Sequence, residues 1–351
     1  MDSRSLNRAT LARQLLLHRG DLPARDAVAH LCGLQAQEPQ EPFIGLWSRV
    51  QGFAPQALDE LLEQRRVVRV HLMRRTVHLL TADDVLAWRA RYDTMLRQRV
   101  LGTYRRELEG VDLDELKAAG LKVMSDGVAR SMRELVEALG LEPGSRPLGE
   151  MLISALLPVV QTPPRGLWRA KGGVRNVLLS KWLGRESDPL ASDEALIRRY
   201  LAAFGPAAVA DIRAWSGLAG LPKAVAAMRD ELVTFRDERG RQLIDLPDAP
   251  RPDPETPAPV RFLPAFDNAI LGYDDRSRII DDEHRGLSVA GERVVLVDGR
   301  VAATWTVNAG TLAVSPLRRF SKADRVAVCE EGQELAAFLS DHESDRVRID
   351  A

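Results

Sequence analysis

The sequence predicts a mostly helical α+β protein, three tandem winged-helix units followed by a C-terminal β-barrel-like element. Three observations carry that prediction. A set of helix-like segments followed by two strand-like segments recurs three times along the chain. Residues 248–259 are rich in proline and acid, the composition of a linker. Beyond them, Val294-Val295-Leu296-Val297 and the β-branched run 301–307 flank Asp298-Gly299, a favoured hairpin turn. At 351 residues the chain exceeds one small core, and the expected units are residues 1–108, 109–190, 191–250 and 251–351.

In the first unit, residues 6–18 and 24–34 read as helices, the second stopped by Pro39 and Pro42. Pro42 and Pro55 suit the first turns of two more, because the missing N–H of proline costs nothing there. Residues 67–72 and 76–80 are β-rich and form an expected hairpin around Met73-Arg74-Arg75. Thr81, with Asp83 and Asp84, then caps a long helix reaching past Arg99. The second unit repeats the pattern with helices at 112–124, 131–139 (a Ser131–Glu134 capping box) and 147–157. Extended chain at 158–168 and a wing-like 169–173 follow. The third has helices at 192–204, 206–215 and 221–230, then a hairpin of 232–236 and 242–246 turned at Gly240. At the C-terminal end, 312–314 and 325–328 are further strand candidates and 332–339 a last helix.

The net charge of −1 argues against nucleic acid only if the charge is evenly spread. It is not: residues 64–106 hold 11 Arg against three acids, and 161–185 hold six basic residues and no acid. Such segregation fits a phosphate-binding surface on a neutral protein, as well as a set of solvated helix faces. Two cysteines, Cys32 and Cys329, make no disulfide framework, and the six histidines lack metal-ligand spacing, so neither metal nor other cofactor is expected. Arg4, Arg8 and Arg13 interrupt any signal-peptide core, and no apolar run approaches membrane-spanning length, which predicts a reduced, cytoplasmic protein.

The most informative segment is Gln35-Ala36-Gln37, which follows an apolar helix-like run and precedes Glu38-Pro39-Gln40-Glu41-Pro42. Residues two apart diverge on a helix but share a face in extended chain, so two amides displayed together require that the helix has already ended. A paired amide can place a water, and it can equally cap or solvate a helix end; both readings stand at this point. Glu38 and Glu41 are the rival bases beside it.

Several ordered runs resemble the AlkZ/YcaQ family of winged-helix DNA glycosylases. They are Gly33-Leu34-Gln35-Ala36-Gln37, Leu72-Met73-Arg74-Arg75-Thr76-Val77-His78-Leu79, Thr162-Pro163-Pro164-Arg165-Gly166-Leu167-Trp168, Phe204-Gly205-Pro206 with Trp215-Ser216-Gly217-Leu218, Phe262-Leu263-Pro264-Ala265-Phe266-Asp267-Asn268, and Val297-Asp298-Gly299-Arg300-Val301. The resemblance implies a monofunctional enzyme on double-stranded DNA with alkylated purines, removing bulky or cationic bases of the N7-alkylguanine type, crosslinks included. It also implies Gln35 and Gln37 as the catalytic pair, in the Gln-apolar-Gln form of the AlkZ branch. Two places depart from the family pattern: Arg74-Arg75-Thr76 where Arg-Gly-Thr is usual, and Tyr273-Asp274-Asp275-Arg276 where a histidine often precedes Asp-Arg.

On that reading Arg69, Arg74 and Arg75 grip phosphates, extended by Arg165, Lys171 and Arg175 of the second unit. His78 contacts lesion or phosphate, or is a satisfied structural histidine. His284 and Arg285, in a hairpin expected between 279 and 294, reach into a groove. Asp267 and Asn268 read chiefly as a structural turn, and the tryptophans as core. Three unequal units in one chain form an asymmetric clamp, so a monomer is expected; the competing classes are a non-enzymatic regulator and a lesion-binding module.

Overall fold

The structure is a computed structural model describing residues 1–142, 145–187 and 192–350. It is a mixed α+β protein in which helices alternate with three sheets. The first sheet has five strands, β1 (Leu34–Gln35), β2 (Val67–His71), β3 (Val77–Thr81), β4 (Val159–Gln161) and β5 (Asn176–Leu178), in the order β1-β3-β2-β4-β5. The β2–β3 hairpin is the expected one, with Val70 opposite His78. The strand pairs of the first and second helical sets are therefore not separate wings but one sheet, joined where Arg69 of β2 meets Gln161 of β4. The wing-like 169–173 carries no strand; β4 and β5 flank it. The third set keeps its own hairpin, β6 (Val233–Arg236) with β7 (Gln242–Asp245).

Helix starts follow local chemistry. Thr81 accepts from the Asp84 N–H at 3.1 Å, and Ser131 and Glu134 form the full capping box. Several ends come earlier than the hydrophobic pattern suggests. The first helix stops at Arg13, two residues before Leu15 turns left-handed (φ 57°). The long helix after Thr81 breaks at the tighter turn Arg89–Tyr92 into Ala82–Trp88 and Asp93–Thr103.

The C-terminal element is an open sheet, not a barrel. Its strands β8 (Arg261–Leu263), β9 (Val294–Val297), β10 (Arg300–Asn308), β11 (Thr311–Pro316) and β12 (Val347–Ile349) run in the order β12-β11-β10-β9-β8, so among the described residues β8 and β12 are edges. The period of two explains why it need not close. Phe262, Val295, Val297, Trp305, Leu312 and Val314 pack on one face against Val328 and Leu335 of the helix Lys322–Leu339. Leu263, Val294, Leu296 and Val301 pack on the other against Leu11, Leu16, Leu17 and Ile270. With helices on both faces, closure would gain little further burial. Residues 325–328, read as a strand, lie inside that 18-residue helix, whose Ser321–Asp324 capping box starts it upstream. The segment 279–294, read as a hairpin, is instead a turn at Asp282–His284 and a short helix Arg285–Ala290.

Candidate active site

Cys32 (φ 54°) and Gly33 (φ 88°) turn the chain out of the helix Ala24–His30 and into β1. A side chain at Gly33 would meet Leu80 Cγ at 2.8 Å and the Leu79 carbonyl at 2.9 Å, so this close approach to β3 requires glycine. Gln35 pairs with His78 across β1–β3, and the Ala36 N–H donates to the Val77 carbonyl at 2.8 Å. Gln35 is thus in the strand, Ala36 continues its ladder, and Gln37 follows at a bend.

The two amides have different surroundings. Gln35 is buried and its Oε1 accepts from Arg74 Nη2 at 2.7 Å. Gln37 is exposed and its Oε1 accepts from the Val77 N–H at 3.2 Å. Three residues on, Gln40 donates to the Leu167 carbonyl at 3.0 Å and accepts from the Arg169 N–H at 2.8 Å, which seats the 162–169 loop of the second set beside the motif. A crevice lined by Leu34, Gln35, Pro42, Pro264 and Asn268 opens on the other side.

Neither rival base is well placed. Glu41 is buried, accepts from the Ala265 N–H at 2.6 Å, and is clamped through both oxygens by Arg293. That carboxylate ties the motif to the C-terminal sheet. Glu38 is exposed at the rim.

The proposed DNA contacts divide. Arg75 and Arg165 are half-buried and Lys171 is exposed, and none has a carboxylate partner among the described residues. Arg69 is a correction, being buried at 1% exposure with no surface for a phosphate, and His78, at 0% exposure, takes the structural of its two readings. Arg69 lies under Gly166 and donates to Gln161 Oε1 at 3.3 Å; burial, then the neighbouring Arg165, lowers its pKa to about 10, so it stays charged. Arg175 is exposed but its fork is taken by Glu134, at 2.9 and 3.0 Å, which cancels its charge as a lure for DNA. Arg285 is exposed and donates to the Asp274 carbonyl, while His284 sits beside Glu283 on the helical segment that replaces the expected hairpin. Other arginines of the basic 64–106 stretch are also spent internally: Arg89 pairs with Asp93 and Arg91 with Asp193.

Arg74 is the junction of the site. Its Nη1 donates to the Trp215 carbonyl at 3.0 Å, and its Nη2 donates to Gln35, to Asn268 Oδ1 at 3.1 Å and, weakly, to His78 Nε2 at 3.4 Å. Burial leads in lowering its pKa to about 10, which leaves it cationic. Asn268 also donates to the Gly33 carbonyl at 3.3 Å, and Asp267 caps its short helix while accepting from Arg49 at 2.7 Å. Asn268, which the sequence reads chiefly as a structural turn, is a member of the site through its bond to Arg74. The run 262–268 singled it out; no local pattern shows that it lands beside Gln35.

Because a carbonyl only accepts, His78 Nδ1–H donates to the Thr76 carbonyl at 3.1 Å, which leaves Nε2 as the unprotonated nitrogen facing Arg74 at 3.4 Å. Burial first, and Arg74 second, push its pKa down to about 3. A histidine depressed in the fold leaves stability untouched above its unfolded pKa near 6.5. Below that pH the unfolded chain binds a proton that the fold refuses, and stability falls until about pH 3. By pH 5 the loss is about 2 kcal/mol. Urea unfolding of wild type and His78→Gln at pH 7.5 and pH 5 should show a smaller pH difference in the variant; equal differences would remove this account.

Arg74 bonds the buried Gln35, Gln37 is exposed beside it, and the buried Glu41 is already clamped by Arg293. The model of DNA glycosylase AlkZ-like proteins matches residues 28–338, so the chain belongs to the AlkZ-like DNA glycosylase family and is a DNA glycosylase. It is 27% identical, over 93% of each chain, to the interstrand DNA cross-link repair glycosylase of Streptomyces sahachiroi. Its fold matches the solved DNA glycosylase AlkZ of that organism with a TM-score of 0.81, over 100% of each chain, at 23% identity. Membership puts the chain among repair enzymes rather than the regulators that the sequence left open. Among the described residues no helix is long and apolar enough to cross a membrane.

Proposed function

We propose that this glycosylase hydrolyses the N-glycosidic bond of N7-alkylguanine-type lesions in duplex DNA, acting as a monomer. Bulky adducts and interstrand crosslinks are included. The observation that supports the reading is the amide pair itself: Gln37 is exposed and held by the Val77 N–H, Gln35 lines the crevice, and the buried Glu41 beside them is clamped by Arg293. An N7-alkylated purine is already cationic, so it leaves without protonation. The protein must place a water and stabilise the positive charge developing on the sugar. A glutamine is no base at neutral pH, but a fixed amide can hold a water and present a dipole, and preorganised dipoles supply much of such a barrier reduction. An uncharged deoxynucleotide lacks the leaving group this site needs.

In this reading the three helical sets act as winged-helix units, bounded as residues 1–108, 109–190 and 191–250, with 251–351 as the C-terminal element. Arg75, Arg165 and Lys171 hold phosphates, joined by Arg285. The test is release of free modified base from duplexes carrying N7-methylguanine, a bulky N7 adduct or an N7 crosslink. Release from at least the first two is expected, with none from undamaged DNA; release of none would sink the substrate class.

A further inference from the structure

We propose that Arg74 is a positioning residue of this site and not a contact to DNA. It locks the Gln35 amide with its carbonyl inward and its NH2 toward the crevice, and it does so through groups drawn from three parts of the chain. The inference rests on the glycosylase reading and deepens it.

The orientation follows from donor chemistry. A guanidinium has five N–H donors and no acceptor, so the Gln35 atom 2.7 Å from Nη2 is the oxygen, and the amide nitrogen faces the other way. The same logic fixes Asn268, whose Oδ1 faces Arg74 and whose Nδ2 donates to the Gly33 carbonyl. Arg74, Gln35, Gly33 and Asn268 thus close a ring around the start of β1. Gln35 therefore meets the substrate as a hydrogen-bond donor, leaving Gln37 as the exposed member of the pair.

The remaining nitrogen, Nη1, reaches the carbonyl of Trp215, in the last turn of the helix Val209–Ser216. The last carbonyls of a helix lack intrahelical partners and form the negative end of its dipole, which suits a half-buried cation without a carboxylate. Arg74 also holds a left-handed backbone (φ 55°), as does Arg75 (φ 63°), so the hairpin tip keeps two arginines in a conformation that L-residues resist. Both terminal nitrogens are engaged, at 3.0 and 2.7 Å, so a phosphate would have to compete with these bonds for the fork.

The experiment compares single-turnover release from an N7-methylguanine duplex with affinity for the undamaged duplex at several salt concentrations, for wild type, Arg74→Met, Arg74→Lys and Asn268→Ala. Arg74→Met should lose roughly 10²-fold in maximal rate, with affinity and salt slope unchanged. Arg74→Lys keeps the charge but not the fork, and should recover little of that loss. Asn268→Ala, a milder break in the ring, should lose roughly tenfold and covers the case in which Arg74→Met does not fold. The proposal is overturned by full rate in Arg74→Lys, by full rate in Asn268→Ala, or by a salt slope shallower by about one with the maximal rate kept in Arg74→Met, the mark of a phosphate contact. Inactive wild type would instead overturn the glycosylase reading itself.

Discussion

Gln37→Ala is expected to lower the rate of base release by roughly 10²–10³-fold while leaving DNA affinity within a few-fold of wild type. The magnitude is that of losing one preorganised dipole at a developing charge. Stability should change little, because Gln37 is exposed and its single hydrogen bond, to the Val77 N–H, lies at a sheet edge that water can serve. Gln35→Ala behaves differently. Gln35 is buried and supplies an acceptor to the half-buried Arg74, so its removal takes away a charge-assisted hydrogen bond and costs about 1–3 kcal/mol besides any effect on rate. Base release and urea unfolding measured on both variants separate the two roles. A Gln37→Ala enzyme as fast as wild type on N7-methylguanine would refute a catalytic part for the exposed amide.

Much of this site was legible in the sequence because its logic is local. The spacing of Gln35 and Gln37 calls for a chain that has left its helix, and Gln35 does lie in β1; the prolines marked the break too late, because the helix ends at His30, where Cys32 and Gly33 turn left-handed. The β2–β3 hairpin and the β6–β7 hairpin follow from β-branched runs and turn residues. What escaped depends on distant pairing or on context. Joining two wings into one sheet hangs on the Arg69–Gln161 pair, 92 residues apart, and burying Arg69 beneath Gly166 follows from it. The arginine count from 64 to 106 is a property of composition, and composition does not distinguish Arg75, which has no carboxylate partner among the described residues, from Arg89, which folds back on Asp93. Residues 325–328 look like a strand only in a four-residue window; the capping box at Ser321 outweighs that window by setting an 18-residue helix in motion. Asn268 reaches Arg74 across 194 residues, a juxtaposition that only the docking of the C-terminal sheet creates.

Asp245→Ala should destabilise the protein more than any change within the candidate site, by about 3–5 kcal/mol. Asp245 and Arg13 are both fully buried and meet fork to fork, Nη1 to Oδ1 at 2.7 Å and Nη2 to Oδ2 at 2.8 Å. Arg251 adds a third bond at 2.6 Å, and the Leu246 N–H a fourth at 2.9 Å. The pair clips the N-terminal helix to the β6–β7 hairpin and to the start of the 248–259 segment. Truncating Asp245 leaves Arg13 with the carbonyls of Leu201 and Pro250 and no counter-charge, and the cost of that stranded cation dominates any gain from removing the carboxylate. Asp245→Asn should cost nearly as much, because half of the acceptor face becomes a donor aimed at a donor. The packing is equally unforgiving from the third side: a β-carbon at Gly205 would lie 2.5 Å from Arg13 Nη1 and 2.6 Å from Asp245 Oδ1. Thermal unfolding should show a midpoint lower by about 4–7 °C in Asp245→Ala. Base release per folded molecule should be unchanged, since neither Arg13 nor Asp245 touches Gln35, Gln37 or Arg74. A midpoint within a degree or two of wild type would mean that the clip is held by its backbone carbonyls and not by the charge pair.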